Sequence, residues 1–338
     1  MTDDTPVLEV SNLQTTFFTK GGDLPAVGGV SFSINRGEIL GLVGESGSGK
    51  SVTGFSIMGL VDPPGEVVGG SIKLNGKELV GMDQAGYRNV RGNKIAMIFQ
   101  DPMMTLNPVL RIDTQMTEAI LAHEKVSKEE AWQRARDALA AVGIPSPEER
   151  LASYPHQFSG GMRQRVAIAT ALLNKPDLII ADEPTTALDV TIQAQILYEV
   201  QKLARETGMA LIWITHDLAV VGGLADRIAV MYGGRIVEEG PIDDVLDAPQ
   251  HPYTVGLIGS VPSQTKRGDE LTQIPGMAPS LLNPPLGCAF GPRCTRHDEA
   301  CAVMPDLGDK GSQSGRGHSV RCHHPYQQVS QELAGASS

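Results

Sequence analysis

The chain has 338 residues, 41% of them hydrophobic, and its 39 acidic and 28 basic residues give a net charge of −11. This length suits one large domain with an appendage. The acidic balance and the aromatic content of only 4% argue against a nucleic-acid-binding surface, which is usually basic or rich in stacking rings. The apolar runs are too short for a membrane-spanning helix, and the start of the chain lacks a signal-peptide pattern. We therefore expect a soluble, cytosolic protein.

Apolar strands alternate with helices up to about residue 250. The predicted strands are Val7–Val10, Phe32–Ile34, Ile39–Val43, Lys94–Phe99, Asp177–Ala181, Ala210–Thr215, Ile228–Met231 and Arg235–Glu239. The predicted helices are Ser51–Leu60, Glu118–Val142, Gly161–Leu173, Thr191–Glu206 and one that starts at Leu218–Leu224. This alternation indicates an α/β fold with a mainly parallel sheet covered on both faces. The following segment is rich in proline, which predicts loops.

Residues 44–51, here called the phosphate loop, read Gly-Glu-Ser-Gly-Ser-Gly-Lys-Ser between a predicted strand and a predicted helix. In that context the pattern is typical of nucleotide binding, because its glycines let backbone N–H groups wrap a phosphate. We expect Lys50 to reach the β- and γ-phosphates and Ser51 to bind Mg²⁺. The alternative is a glycine-rich turn with a surface lysine. The predicted nucleotide-binding residues of the loop are Gly44, Ser46, Gly47, Ser48, Gly49, Lys50 and Ser51.

A second apolar strand ends in two acidic residues, Asp182 and Glu183. A carboxylate at the end of such a strand can hold Mg²⁺ in enzymes with a phosphate loop. Glu183, one residue further on, suits a general base that polarises the attacking water. The alternative is an acidic start for the next helix, which Pro184 and Thr185 make plausible.

Ser159, Gly160, Gly161 and Met162 open the helix after Phe158 and form a second candidate anion site. Together with the Arg-Gln-Arg that follows, they resemble the signature of ABC (ATP-binding cassette) proteins, with Phe158 and Met162 in place of the commoner Leu and Gln. The resemblance implies that the signature contacts ATP held by an opposite subunit. It also implies roles for further residues: Gln100 in the Q-loop, Asp189 in the D-loop, His216 as the switch histidine, and Phe17, with Phe18 as second choice, stacking on adenine.

From this resemblance, Glu183, His216 and Gln100 would be catalytic, and Mg²⁺ would be held by Ser51, Gln100 and Asp182. The implied fold is a P-loop NTPase ABC cassette with a RecA-like parallel sheet core, an antiparallel β subdomain and a helical subdomain, plus a loop-rich C-terminal module. The predicted boundaries are 6–250 for the cassette, about 101–175 for its helical subdomain, 251–330 for the C-terminal module and 331–338 for a flexible tail.

Narrower motifs resemble the ATPases of dipeptide/oligopeptide importers: Gln100–Pro108, Tyr154–Phe158, Thr185–Thr191, His251–Thr254, Ile274–Gly276, Gly287–Phe290 and Pro292–Cys294. The resemblance implies an ATPase that powers peptide import as half of an ATPase dimer. Its partners would be a second homologous ATPase subunit, two transmembrane permease subunits docking near Asp101–Arg111, and an extracytoplasmic solute-binding protein, with no nucleic acid. It would lie on the cytoplasmic face of the cell membrane.

Several alternatives remain open from the sequence. The cargo could be nickel or another non-peptide solute. Asp101–Pro108 could be a simple proline-bounded loop rather than a dock. The chain could be an ABC ATPase acting on DNA or in translation, although it has neither a long coiled coil nor a second cassette. It could also be a stand-alone kinase, which would not need a signature motif, or a regulatory ATPase whose C-terminal module senses redox state.

All four cysteines, Cys288, Cys294, Cys301 and Cys322, lie in the C-terminal module with the spacing C-x5-C-x6-C-x20-C. Four thiolates satisfy a [4Fe–4S] cluster, and a small loop-rich module gains stability from such a centre. The C-terminal domains of peptide-importer ATPases resemble this arrangement. Structural zinc, with help from His297, His323 or His324, two disulfides and four unligated thiols are the alternatives.

Overall fold

The structure is a computed structural model that describes residues 5–185, 190–261, 273–282, 284–309 and 317–326. Within those ranges the chain forms two units, each assembled from segments that are distant in sequence. The first unit is drawn from Met1–Leu8, Ile34–Ile39 and Leu74–Trp213, and the second from Glu9–Ser33, Leu40–Lys73 and Ile214–Ser338. Among the described helices, none is both long and apolar enough to cross a membrane.

The strands in chain order are β1 (Leu8–Thr19), β2 (Gly22–Ile34), β3 (Ile39–Val43), β4 (Gly65–Leu74), β5 (Lys77–Glu78), β6 (Ile95–Ile98), β7 (Leu178–Asp182), β8 (Ala210–Thr215), β9 (Arg227–Tyr232), β10 (Arg235–Pro241), β11 (Gly308–Asp309) and β12 (Ser319–Val320). The helices are α1 (Lys50–Met58), α2 (Gln84–Val90), α3 (Ile112–Leu121), α4 (Lys128–Ala141), α5 (Pro147–Leu151), α6 (Gly160–Leu172), α7 (Val190–Thr207), α8 (Leu218–Leu224), α9 (Ile242–Asp247) and α10 (Pro252–Gly259).

The first unit contains a parallel sheet whose strands are buried along their whole length. β6 pairs with β7 in parallel, from Ile95 opposite Leu178 to Ile98 opposite Ala181, and β8 follows β7 in the sheet. Every residue of these three strands is buried. Continuous apolar runs of this kind are typical of parallel strands covered on both faces, and they leave polar side chains only at the strand ends.

The helices α3 to α6 also belong to the first unit, and α4 packs against the other three. It buries Ala131, Ala135 and Leu139, which are four residues apart and share one helix face. Ser127 starts α4, since its side chain accepts a hydrogen bond from the backbone N–H of Glu130. This cap fixes where the helix begins.

The second unit contains an antiparallel β subdomain with the strand order β2-β1-β4. It also contains β3, which pairs in parallel with β9 from Leu40 opposite Arg227 to Val43 opposite Val230. β9 and β10 form an antiparallel hairpin, and β12 of the C-terminal module pairs antiparallel with β10. A strand from the C-terminal module thus extends a sheet that includes the strand before the phosphate loop.

The ABC cassette fold expected from the resemblance is confirmed, as are the positions of the buried strands and most helices. Two expectations were wrong in extent. β1 and β2 are far longer than the predicted Val7–Val10 and Phe32–Ile34, because exposed polar residues and glycines inside a β subdomain hide the strand pattern. The predicted helix Glu118–Val142 is the end of α3, a short connection and then α4, which the Ser127 cap restarts.

The carboxylate of Glu238 joins three segments of the second unit and is fully buried. It accepts hydrogen bonds from the backbone N–H of Gln250 at 2.6 Å and of His251 at 2.9 Å. His318 Nε2, next to β12, lies 2.7 Å from Oε1, the same oxygen that accepts from Gln250. A buried carboxylate needs partners of this kind, and two of its partners here, His251 and His318, belong to the C-terminal module.

We predict that Glu238→Ala destabilises the protein by about 3–5 kcal/mol, because it leaves three buried groups without their acceptor. The measurement is the free energy of unfolding in urea. Glu9→Ala, which removes an exposed glutamate of β1, is the matched control and should change stability by less than about 0.5 kcal/mol. Equal stability of the two variants would show that Glu238 does not hold the module.

Candidate active site

The phosphate loop lies in the second unit, between the buried strand β3 and helix α1. Gly44, Gly47 and Gly49 have φ angles of 154°, 78° and 101°, in the region that favours glycine. A Cβ on Gly44 would collide with the carbonyl oxygen of Met231, and one on Gly49 with that of Ala26. Two of the predicted glycines are therefore required by close backbone packing as well as by conformation.

The buried side chain of Lys50 lies folded into the phosphate loop. Its Nζ donates to the carbonyl oxygens of Gly44 at 2.7 Å and Glu45 at 2.9 Å, and lies 3.4 Å from Ser48 Oγ. Gly49 precedes α1 and offers no side chain to cap its first N–H groups. An ammonium group and the start of a nine-residue helix thus share one loop, and both favour an anion.

Glu45, the second residue of the phosphate loop, is held by the C-terminal module. Its carboxylate accepts two hydrogen bonds from the guanidinium of Arg293, at 2.8 and 3.1 Å. Its backbone N–H donates to the hydroxyl of Tyr253 at 2.8 Å. The bond to Glu45 raises the pKa of Arg293, and burial raises the pKa of Tyr253. No local sequence pattern indicates these contacts, since Arg293 and Glu45 are 248 positions apart.

The other predicted nucleotide contacts of the second unit lie at two strand ends. Phe17, near the end of β1, is half-buried against Gly65, where an added Cβ would lie 2.6 Å from the Phe17 ring. Its neighbour Phe18 is 45% exposed. His216 is exposed immediately after β8, and the next residue, Asp217, caps α8 by accepting from the N–H of Ala219. Both predicted positions reach the surface of this unit.

The first unit brings Gln100 and Glu183 together. Gln100 Nε2 donates to Glu183 Oε2 at 3.2 Å. Asp182, the last residue of β7, is buried, whereas Gln100 is exposed shortly after β6. Glu183 has a φ of 45°, a left-handed conformation that costs energy for a residue other than glycine. Such strain is commonest at functional sites, where it fixes the direction of a side chain.

The predicted signature residues also lie in the first unit, at the start of α6. The Ser159 side chain accepts a hydrogen bond from the backbone N–H of Met162 at 3.3 Å. Ser159 and Gly160 are exposed, and a Cβ on Gly160 would meet nothing within 4 Å. The helix start is therefore open to a large group on its outer side. Asp189 lies outside the described residues.

The four cysteines converge in the C-terminal module, where all are free thiols lining one small cavity beside His251 and Phe290. Cys301 and Cys322 are buried. Gly287 must be glycine, because a Cβ there would collide with the carbonyl oxygen of Cys301. This close approach lets the N–H of Cys288 donate to the same oxygen at 2.9 Å.

Burial, with the neighbouring thiols, raises the pKa of Cys322 to about 11 and raises those of Cys288 and Cys294. Backbone N–H groups oppose this shift: that of Arg296 lies 3.4 Å from Cys294 Sγ and that of His324 lies 3.3 Å from Cys322 Sγ. Clustered thiols that resist ionisation would be stabilised as thiolates by a bound cation. The four sulfurs on this cavity are donors of the type that metal centres use.

A different grouping shares Cys301 and His324 with the lining of this cavity. One ligand atom each from Asp298, Cys301 and His324 falls within 4.8 Å of the others. His324 Nε2 and Asp298 Oδ1 are 2.8 Å apart, and this pairing lowers the pKa of Asp298. A single ion could use this mixed set, which contains one of the four cysteines.

Two family models match the chain. The ABC transporter model matches residues 27–186, and the model of the oligopeptide/dipeptide transporter C-terminal region matches residues 237–301. The first covers the phosphate loop, Gln100, the signature and Glu183. The second covers Arg293 and three of the four cysteines.

The chain is 54% identical over 291 residues to the oligopeptide transport ATP-binding protein OppD of Bacillus subtilis, covering 86% of this chain and 81% of that protein. It is 53% identical over 318 residues to the dipeptide transport ATP-binding protein DppD of the same organism, covering 94% of each. A solved dimeric ATP-binding cassette, in a post-hydrolysis state with ADP and Pi, is 29% identical with a TM-score of 0.64. That match covers 70% of this chain and 98% of the solved one.

Sequence identity of about half extends over almost the whole chain, including the phosphate loop, the signature and the C-terminal module. The chain belongs to the ABC transporter ATP-binding proteins of the oligopeptide/dipeptide family, and it is an ATPase.

Proposed function

We propose that this chain hydrolyses ATP on the cytoplasmic face of a membrane to power the import of short peptides. The observation that carries the proposal is the match of one chain to both the ABC transporter model and the model of the oligopeptide/dipeptide transporter C-terminal region. The relatives named above are oligopeptide and dipeptide transport proteins, which supports a peptide cargo. The alternative of nickel or another solute finds no support among them.

The proposed nucleotide contacts follow from the chemistry of each residue. Lys50 and the loop amides hold the β- and γ-phosphates, and Phe17 stacks on adenine. Mg²⁺ prefers oxygen donors, which Ser51, Gln100 and Asp182 supply as a hydroxyl, an amide and a carboxylate. The buried position of Asp182 at a strand end fits this set. When bound, Mg²⁺ neutralises charge on the phosphate oxygens.

Glu183 is the proposed general base. It accepts a proton from water as the water oxygen bonds to the γ-phosphorus and the bond from that phosphorus to the bridging oxygen breaks, leaving ADP and phosphate. Two observations support this role: the left-handed backbone at Glu183 and the hydrogen bond from Gln100, which together orient the carboxylate. His216 would contact the γ-phosphate.

The remaining site residues would act on a second nucleotide. Ser159, Gly160, Gly161 and Met162 open a helix whose exposed start suits the phosphates of ATP held by an opposite subunit. Asp189 would lie at the same contact between subunits. ATP bound between two subunits favours their closed state, and its hydrolysis releases them. We propose a heterodimer with a homologous ATPase, which acts with two permease subunits and an extracytoplasmic solute-binding protein.

We further propose that Cys288, Cys294, Cys301 and Cys322 hold one [4Fe–4S] cluster. Their convergence on one cavity and the N–H groups directed at their sulfurs support this ligand set. When bound, such a cluster cross-links the C-terminal module. Zinc is the rival, either on the four thiols or on the mixed set of Asp298, Cys301 and His324.

We predict that Glu183→Gln lowers ATP turnover at least about 100-fold and leaves ATP binding intact, because the amide keeps the shape and cannot accept the proton. Lys50→Ala should instead weaken ATP binding, since it removes the ammonium group. Phosphate release by the assembled transporter and ATP titration separate the two effects. Glu149→Gln, on an exposed position of α5, is the control. Near-normal turnover by Glu183→Gln would remove this residue from the mechanism.

We predict that a complex isolated from native membranes through this chain contains two different ATPase chains and two permease subunits. Mass spectrometry of the intact complex gives the composition. The chain purified alone should be a poor ATPase, since each site lacks the opposite signature. Two copies of this chain without a second ATPase would refute the heterodimer while leaving the import function in place.

We predict that anaerobically purified protein is brown and carries about four iron atoms per chain, and that Cys322→Ser removes most of the iron. Asp298→Asn should leave the iron content unchanged, because the cluster does not use this carboxylate. Elemental analysis and the visible absorption spectrum are the measurements. A colourless protein with stoichiometric zinc, or metal lost on Asp298→Asn, would overturn the cluster.

A further inference from the structure

A glutamate inside a phosphate loop is electrostatically unfavourable for ATP binding. Glu45 directly follows Gly44, whose carbonyl oxygen already accepts from Lys50. An unpaired carboxylate at this position would repel the triphosphate and compete with it for the lysine. The sequence therefore carries a charge that must be compensated within the folded protein.

Arg293 provides that compensation as a fork of two hydrogen bonds. Its side chain is 6% exposed and that of Glu45 is 29% exposed, so water screens the pair only in part. The guanidinium is fixed from other sides: Nε donates to the carbonyl oxygen of Pro275 at 2.8 Å and Nη1 to the hydroxyl of Tyr232 at 3.2 Å. It also lies 5.9 Å from the ring centroid of Phe290. The arginine is thus held rigidly toward the loop.

Other parts of the C-terminal module meet the same half of the loop. Tyr253, fully buried at the start of α10, accepts from the N–H of Glu45. Ala278, Pro279 and Leu281 line a small cavity whose other wall includes residues 45–48 of the phosphate loop. The backbone and the side chain of Glu45 are therefore both oriented by residues that lie more than 200 positions later.

We propose that Arg293 is a positioning residue for nucleotide binding, which neutralises Glu45 and holds it away from the phosphate site, so that ATP affinity depends on the folded C-terminal module. The proposal rests on ATP binding by the phosphate loop and is independent of the cargo and of any metal. Arg293 directly precedes Cys294, so a change in the cysteine site would be transmitted to the loop through one side chain.

The test is a double-mutant cycle on the full chain, with ATP titrated in EDTA so that no turnover occurs. Arg293→Gln should weaken ATP binding roughly tenfold, because it leaves the Glu45 charge uncompensated. The loss should be smaller for ADP, which carries less charge, and should shrink as potassium chloride is added. Glu45→Gln alone should tighten binding slightly. Adding Glu45→Gln to Arg293→Gln should restore affinity to within about threefold of wild type.

A purely structural arginine predicts the opposite pattern. The double variant would then bind ATP as weakly as Arg293→Gln, and the losses for ATP and ADP would be equal. Either result would overturn the proposal. Arg136→Gln is the matched control, a partly exposed arginine of α4 paired with Asp137 at 2.7 Å, and should not change ATP affinity.

Circular dichroism and thermal melting check that each variant folds. If Arg293→Gln does not fold, Arg293→Lys keeps the charge and loses the fork. It should then show a partial loss of affinity that Glu45→Gln again reverses, and no reversal would reject the proposal. Lys50→Ala distinguishes the role of the phosphate loop in nucleotide binding from the role of Arg293. If it binds ATP normally, the phosphate loop is not the nucleotide site. If it fails and Arg293→Gln binds normally, only the role of Arg293 is wrong.

Discussion

Complete burial of the strands that precede the predicted functional residues is the constraint that determines where those residues lie in each unit. β3, β6, β7 and β8 have no exposed residue, so polar chemistry can begin only where each strand ends. The predicted functional residues occur at those points: Gly44 after β3, Gln100 shortly after β6, Glu183 after β7 and His216 after β8. Ligands of open α/β sheets bind outside the carboxyl ends of strands for the same reason.

The same burial explains why much of this arrangement could be predicted from the sequence. A continuous apolar run followed by Gly44, or by Asp182 and Glu183, is a local signal of the end of a buried strand. Helix α6, which Ser159 caps, begins within one residue of its predicted start. The β subdomain gave no such signal, because its strands carry glycines and exposed polar residues. The start of α4 did carry a local signal, Ser127 followed three residues later by Glu130, but the apolar stripe of the longer predicted helix obscured it.

Long-range pairing could not be predicted. Glu45 and Arg293 pair in the folded protein, but nothing in a single sequence links positions 248 residues apart. The left-handed backbone at Glu183 was equally hidden, since that conformation is unfavourable for its residue type. The cysteines were a middle case. Their number and spacing predicted a shared site. The close approach of the Cys288 segment to Cys301 also requires a residue without a Cβ at position 287, and only the fold reveals this requirement.

The route by which the C-terminal module is anchored has a practical consequence for anyone who shortens this protein. Arg293 and His318 lie beyond residue 250, the predicted end of the cassette, yet they bond to the carboxylates of Glu45 and Glu238 that come before it. A chain cut at residue 250 would retain the phosphate loop, the signature and Glu183, and would leave the carboxylates of Glu45 and Glu238 without Arg293 and His318. Chimaeras that exchange cassettes between importers would need to transfer the cassette together with its own C-terminal module.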